Sequence, residues 1–142
     1  MAYSNQGYTI YGYLKDLLEA GVAGLVVENR HYLPVDTDEK EYLVKIGKGC
    51  LIRLNTDEQN DIGIDYNDRN YLFTLRCYIF DTEKDQKKLM DYLEEVKYIL
   101  LDNRELASGV HIKNVGIITF VEPDGNNNFK YADLELEVLY DG

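Results

Sequence analysis

Two histidines, two cysteines, two serines and an abundance of carboxylates are the groups through which this chain could do chemistry. His31 and His111 lie far apart, and neither belongs to an HExxH pattern or sits beside paired cysteines, the spacings with which imidazole and thiolate hold zinc. Ser4 and Ser108 fall outside GxSxG, so no activated nucleophile is legible. Cys50 and Cys77 form no CxxC pair and are expected to be reduced thiols, the second inside a strand. The stretch IGKGC sets two glycines around Lys48 but lacks the longer spacing of a phosphate-cradling loop, so a bulge or turn is expected. With no nucleophile, base and orienter at recognisable spacing, the chain is expected not to be an enzyme and to use no metal and no cofactor.

Carboxylates are the richer signal. In DEQNDIGIDYND, Asp57, Asp61, Asp65 and Asp68 are spaced along twelve residues like calcium ligands. The glycine falls at Gly63, one place later than the sharp turn needs, and the twelfth position is Asp68 instead of a bidentate glutamate. A solvated or partner-binding loop is the better reading, with Asp57, Asp61, Asp65, Tyr66 and Asp68 as its candidate interface residues. A second concentration closes the chain, where Asp133, Glu135 and Glu137 alternate with Ala132, Leu134, Leu136 and Val138. Period two makes this a strand, with one face for a core and an acidic stripe on the other.

The stripe belongs to an acidic protein. Fifteen lysines and arginines against 26 aspartates and glutamates give a formal net charge of -11. Phosphate neutralisation drives most nucleic-acid affinity, so tight binding of DNA or RNA is not expected. A hydrophobic fraction of 45% over 142 residues suits one folded domain, residues 1–142, that needs no metal or disulfide to hold together. MAYSNQGYTIYGYLK lacks the basic start and apolar run of a secretory signal, and no apolar stretch nears the roughly 20 residues that span a bilayer, so no membrane association is expected. Thirteen tyrosines without a tryptophan supply amphipathic area suited to sheet flanks and interfaces, and Tyr8, Tyr11 and Tyr71 are the candidate interface aromatics.

The elements that must position these residues follow from periodicity. Ile10, Tyr13, Leu14, Leu17 and Leu18 recur at helical spacing over 8–20, with Gly21 as a stop. Residues 24–35 read as an extended segment interrupted by Pro34, and 42–54 as extended structure broken at Gly47 and Gly49. A polar stretch over 55–70 reads as a loop or hairpin tip, so that an excursion spans about 48–70. YLFTLRCYIFD, 71–81, is the strongest strand, with Tyr71, Phe73, Leu75, Cys77 and Ile79 on one face. Thr82 is placed to cap a helix over 83–101 whose apolar stripe is Leu89, Leu93, Val96 and Leu100. HIKNVGIITFVE, the turn PDGNNN and FKYADLELEVLYD then form a hairpin. The predicted fold is α+β: a mostly antiparallel β-sheet, two helices on one face and a C-terminal β-hairpin.

A helix ending in YLKDLLEA, a strand YLFTLRCYIFD leading into the long helix KKLMDYLEEVKYILLDN, and a closing hairpin GIITFVEPDGNNNFKYADLELEVLYD resemble the tail terminator (tail completion) proteins of tailed bacteriophages. The resemblance spans most of the chain and rests on element order, size and the style of the last strand. It implies a structural virion protein that assembles in the host cytoplasm as a homo-oligomeric, usually hexameric, ring. The ring would cap the tail tube protein, end tube polymerisation and meet the head–tail connector protein. On that reading Asp133, Glu135 and Glu137 would face a lumen through which DNA passes without specific binding. Another neck or baseplate adaptor, or a monomeric acidic inhibitor, would share these sequence features, and mass in solution separates a ring former from a monomer.

Overall fold

The computed structural model describes residues 6–29, 47–59, 68–121 and 129–141. Its first helix, α1 (Gln6–Gly21), buries Ile10, Leu14 and Leu18 at four-residue spacing, with Tyr11 beside them. A turn at Gly24, where φ is +74°, leads into a three-residue strand, β1 (Val26–Glu28). β2 (Lys48–Gln59) and β3 (Asp68–Phe80) form a long antiparallel hairpin, and β3 leads into α2 (Lys87–Asp102). After α2 come the short β4 (Glu105–Ala107), then β5 (Val110–Val121) and β6 (Phe129–Asp141).

The six strands among the described residues lie in the order β1-β2-β3-β6-β5-β4. Every pairing is antiparallel except β1 with β2, so the α+β expectation holds with one parallel addition at an edge. α2 lies over β3, β6 and β5, whereas α1 touches both edge strands, β1 and β4. The sheet therefore curls around its helices as a half-barrel that α1 straps across. The core fills that space. Cys50, Ile52, Phe73, Leu75, Leu134 and Leu136 point into it from the sheet, against Leu89, Leu93 and Val96 of α2. α1 and α2 approach so closely that a Cβ on Gly21 would sit 2.7 Å from the Ile99 Cδ1.

Two expected boundaries move. α2 begins at Lys87 instead of 83, Thr82 does not cap it, and its N-cap, Gln86, makes no side-chain capping bond. The reason is tertiary: residues 81–86 are held in a bent approach by Lys130. Its Nζ donates to the Asp81 Oδ2 (2.9 Å), to the Asp85 carbonyl (2.5 Å) and to the Glu83 carbonyl. The polar run 55–70 is a hairpin end with more strand than its composition suggests, because β2 continues to Gln59 and β3 begins at Asp68. Residues 30–35 and 42–46 of the expected extended segments, and the PDGNNN turn, lie outside the described residues.

The outer face of the sheet has a small cluster of its own. Leu51 and Tyr78 are buried there, with Phe80 and Tyr131 packed against them. Gly49 is the directly paired partner of Tyr78, and the tyrosine ring fills the space that a Cβ at Gly49 would need.

Candidate functional site

The outer sheet face carries the candidate site, and β6 runs through its middle. Asp133, Glu135 and Glu137 alternate with buried Leu134, Leu136 and Val138, so all three carboxylates leave the sheet on the side away from the helices. Register then gives each a different neighbour. Arg76 of β3 stands directly opposite Asp133 and binds it with two bonds, Nε to Oδ1 at 2.8 Å and a terminal nitrogen to Oδ2 at 2.9 Å. The same guanidinium lies 4.9 Å from the centre of the Tyr131 ring, a cation–π contact that fixes its plane. The Asp133 hydrogen bond raises the Arg76 pKa further, against the burial that would lower it.

Glu137 faces Leu72 on one side and Asn114 on the other. A bulge between Ile112 and Asn114 adds one residue to β5, and the extra residue, Lys113, reaches Glu137 Oε1 at 3.4 Å. Glu135 stands opposite Thr74, is exposed, and has no ion-pair partner among the described residues. The stripe is thus largely compensated: three carboxylates meet two cations, which leaves one negative charge centred on Glu135. Its repulsion is weaker than the sequence alone implies.

A groove of about 370 Å³ opens on this face. Asn55, Leu72, Asn114, Gly116, Glu135 and Glu137 line it. Asn55 is tied into the sheet, accepting from the Arg53 Nε at 2.8 Å and donating to the Thr74 hydroxyl. Carboxylates, amides and a half-exposed leucine make a surface that repels phosphate and accepts cations or amide donors.

The remaining candidates scatter. Asp57 and Asp68 belong to the backbone ladders of β2 and β3, opposite Tyr71 and Asp141 respectively. The residues between them, 60–67, lie outside the described residues, Asp61, Asp65 and Tyr66 among them, as does His31. Among the candidate aromatics Tyr8 is 62% exposed on α1, its ring centre 5.5 Å from that of Tyr11. Tyr11 and Tyr71 are corrected: both are core residues, 6% and 1% exposed, because the face each shares with Leu14 or Phe73 is the buried one. Tyr98, not singled out by the sequence, is the most exposed large hydrophobic side chain among the described residues. His111 is exposed on β5, and no group of three or more His, Cys, Asp or Glu able to hold a metal occurs among the described residues.

Two pairings escaped the sequence entirely. Lys130 and Asp81 form a buried ion pair, and Cys50 and Cys77 lie side by side with their sulfurs 3.9 Å apart. Both need the strand register to be seen. For the cysteines the signal was the hairpin itself, whose pairing sets residue 50 against 77 once β2 and β3 are extended through the polar run.

No family model matches the chain, and no curated protein matches it. Solved structures do, in 38 chains. One of them aligns over 96% of this chain and 96% of its own at 12% identity, with a TM-score of 0.49.

Proposed function

We propose that this chain is a non-catalytic structural subunit that assembles into a ring capping a phage tail tube, ends tube polymerisation and joins the tail to the head connector. The observation that carries the reading is the two-sidedness of the sheet. One face is closed by α1 and α2, while the other presents Asp133, Glu135 and Glu137 from a single strand. A surface of that kind, repeated around a ring, makes a bore that DNA crosses without adhering. Its net charge is small, because Arg76 and Lys113 neutralise two carboxylates per subunit. Weak repulsion serves a conduit better than strong charge of either sign, since cations would bind phosphate and a dense anionic wall would oppose entry.

The element order of the tail terminator proteins supports the same reading, with the helix-side exposures of Tyr98, Met90 and Tyr8 available for contacts between subunits or with the tube. No helix among the described residues is long and apolar enough to cross a membrane. The test is polymerisation of the tail tube protein from the same phage, with and without this chain. Tubes that stop growing and carry a ring at one end support the proposal. Unchanged tube growth, with the chain remaining a 16.5 kDa monomer, overturns it and favours the monomeric acidic inhibitor.

A further inference from the structure

We infer that Cys50 and Cys77 are a built-in redox latch that closes as a cross-strand disulfide between β2 and β3. The two are directly paired in the ladder, and no other cysteine exists in the chain. Their position in the ladder is the favourable one. The Phe80 N–H donates to the Gly47 carbonyl at 2.8 Å, which makes 47 and 80 a hydrogen-bonded pair. Alternation along an antiparallel ladder then makes Lys48 with Ile79 non-bonded, Gly49 with Tyr78 bonded, and Cys50 with Cys77 non-bonded. Non-bonded pairs bring Cα atoms to about 4.5 Å, inside the range a disulfide spans, and side chains closest together. The sulfurs already stand 3.9 Å apart, so χ1 rotation with little backbone movement suffices.

In the closed fold the reduced pair is protected. Both cysteines have no exposed surface. Tyr92 of α2 packs against this part of the hairpin, its hydroxyl donating to the Gly49 carbonyl at 2.7 Å. The thiol–thiol hydrogen bond and burial also hold the Cys50 pKa well above its ordinary value, which suppresses the thiolate. Access needs a local opening. Cys50 pairs directly with Val27 of the three-residue β1, and both point into the core beneath the helices. Parting β1 together with the helix packing over it exposes the pair at less cost than global unfolding.

The co-reactant is a small disulfide such as glutathione disulfide. One cysteine, as thiolate, attacks it and releases a glutathione thiolate, leaving a mixed disulfide. The second thiolate attacks the protein-bound sulfur and releases another glutathione thiolate. The two protons lost by the cysteines end on the two glutathiones, and the two electrons reduce the small disulfide. Latching fixes β2 to β3 at the base of the hairpin that carries the polar excursion. The inference is independent of what the chain does.

The folded protein is incubated with excess glutathione disulfide, then its intact mass, free thiols and thermal midpoint are measured. The latch predicts loss of both thiols, a mass lower by about 2 Da, no dimer, and a midpoint raised by about 5 to 10 °C. Cys50→Ala and Cys77→Ala should each show no rise in midpoint with the oxidant. Thiols that stay free until denaturant is added, a persistent glutathione adduct, a disulfide-linked dimer, or a midpoint lowered by oxidation would each overturn it.

Discussion

Replacing Lys130 with methionine should lower folding stability by about 2 to 4 kcal/mol, although the residue stands near the start of β6 and takes no part in the acidic stripe of that strand. The ammonium gives up the buried Asp81 carboxylate and two main-chain carbonyls, those of Glu83 and Asp85. Breaking a buried ion pair by deleting one partner typically costs about 3 to 5 kcal/mol. Two features reduce that here. Residues 83–86 are exposed, so water can replace the ammonium at the carbonyls, and Lys88 remains 3.7 Å from Asp81. The Glu83 N–H also continues to donate to Asp81 Oδ1 at 3.0 Å. Urea denaturation of the wild type, Lys130→Met, Asp81→Asn and the double variant closes a thermodynamic cycle. The double variant should be less damaged than the two single losses added together, because the partners act as a unit. A single-variant loss below about 0.5 kcal/mol, or strict additivity, would show that the pair does not hold the β3–α2 connection.

The same pair predicts an acid limb. Burial alone would raise the Asp81 pKa, but the Lys130 hydrogen bond, the Glu83 N–H and the nearby Lys88 charge together depress it. A depressed carboxyl stabilises the fold above its unfolded value, and the gain is lost as pH falls through the lowered folded value. Asp81→Asn should therefore flatten the loss of stability on acidification below about pH 4, measured by urea midpoints across pH. Leu136→Ala, at a site 1% exposed, should cost about 2 to 5 kcal/mol by the same assay. Along the stripe Glu135→Lys should change stability by less than about 0.5 kcal/mol, whereas Asp133→Lys sets a cation against Arg76 and should cost about 1 kcal/mol. Equal effects at the two positions would contradict the compensated stripe. Gly49→Ala should cost about 1 to 3 kcal/mol, because Tyr78 is fully buried and cannot move off the new methyl group.

Legibility followed periodicity. β3, β6 and both helices were readable because Tyr71 to Ile79, Ala132 to Val138, Ile10 to Leu18 and Leu89 to Leu100 repeat at the period of the element they form. β2 beyond Leu54 was not, since Asn55 to Gln59 offers no apolar alternation and is strand because β3 pairs with it. The three residues of β4 carry no pattern long enough to detect. α2 starts late because Lys130, distant in sequence, holds the carbonyls just before it, which no local propensity records.

At the site the alternation on β6 was legible, and its chemistry was not. The acidic face could be read from one strand, but its neutralisation by Arg76 and Lys113 depends on the register of two others and on a bulge. Tyr11 and Tyr71 misled for a related reason. A tyrosine suits an interface or a core equally well by composition, and only the shared face with neighbouring residues separates the two.

The central claim is that the outer face of β6 lines the channel of a homomeric ring, and an electron cryomicroscopy map of this chain assembled on its tail tube tests it most directly. The account predicts a closed ring whose bore is walled by the β3–β6–β5 face, with Glu135 nearest the axis and the Arg76–Asp133 pair behind it. A map that places α1 and α2 toward the channel, or that shows no ring on the tube, would contradict it.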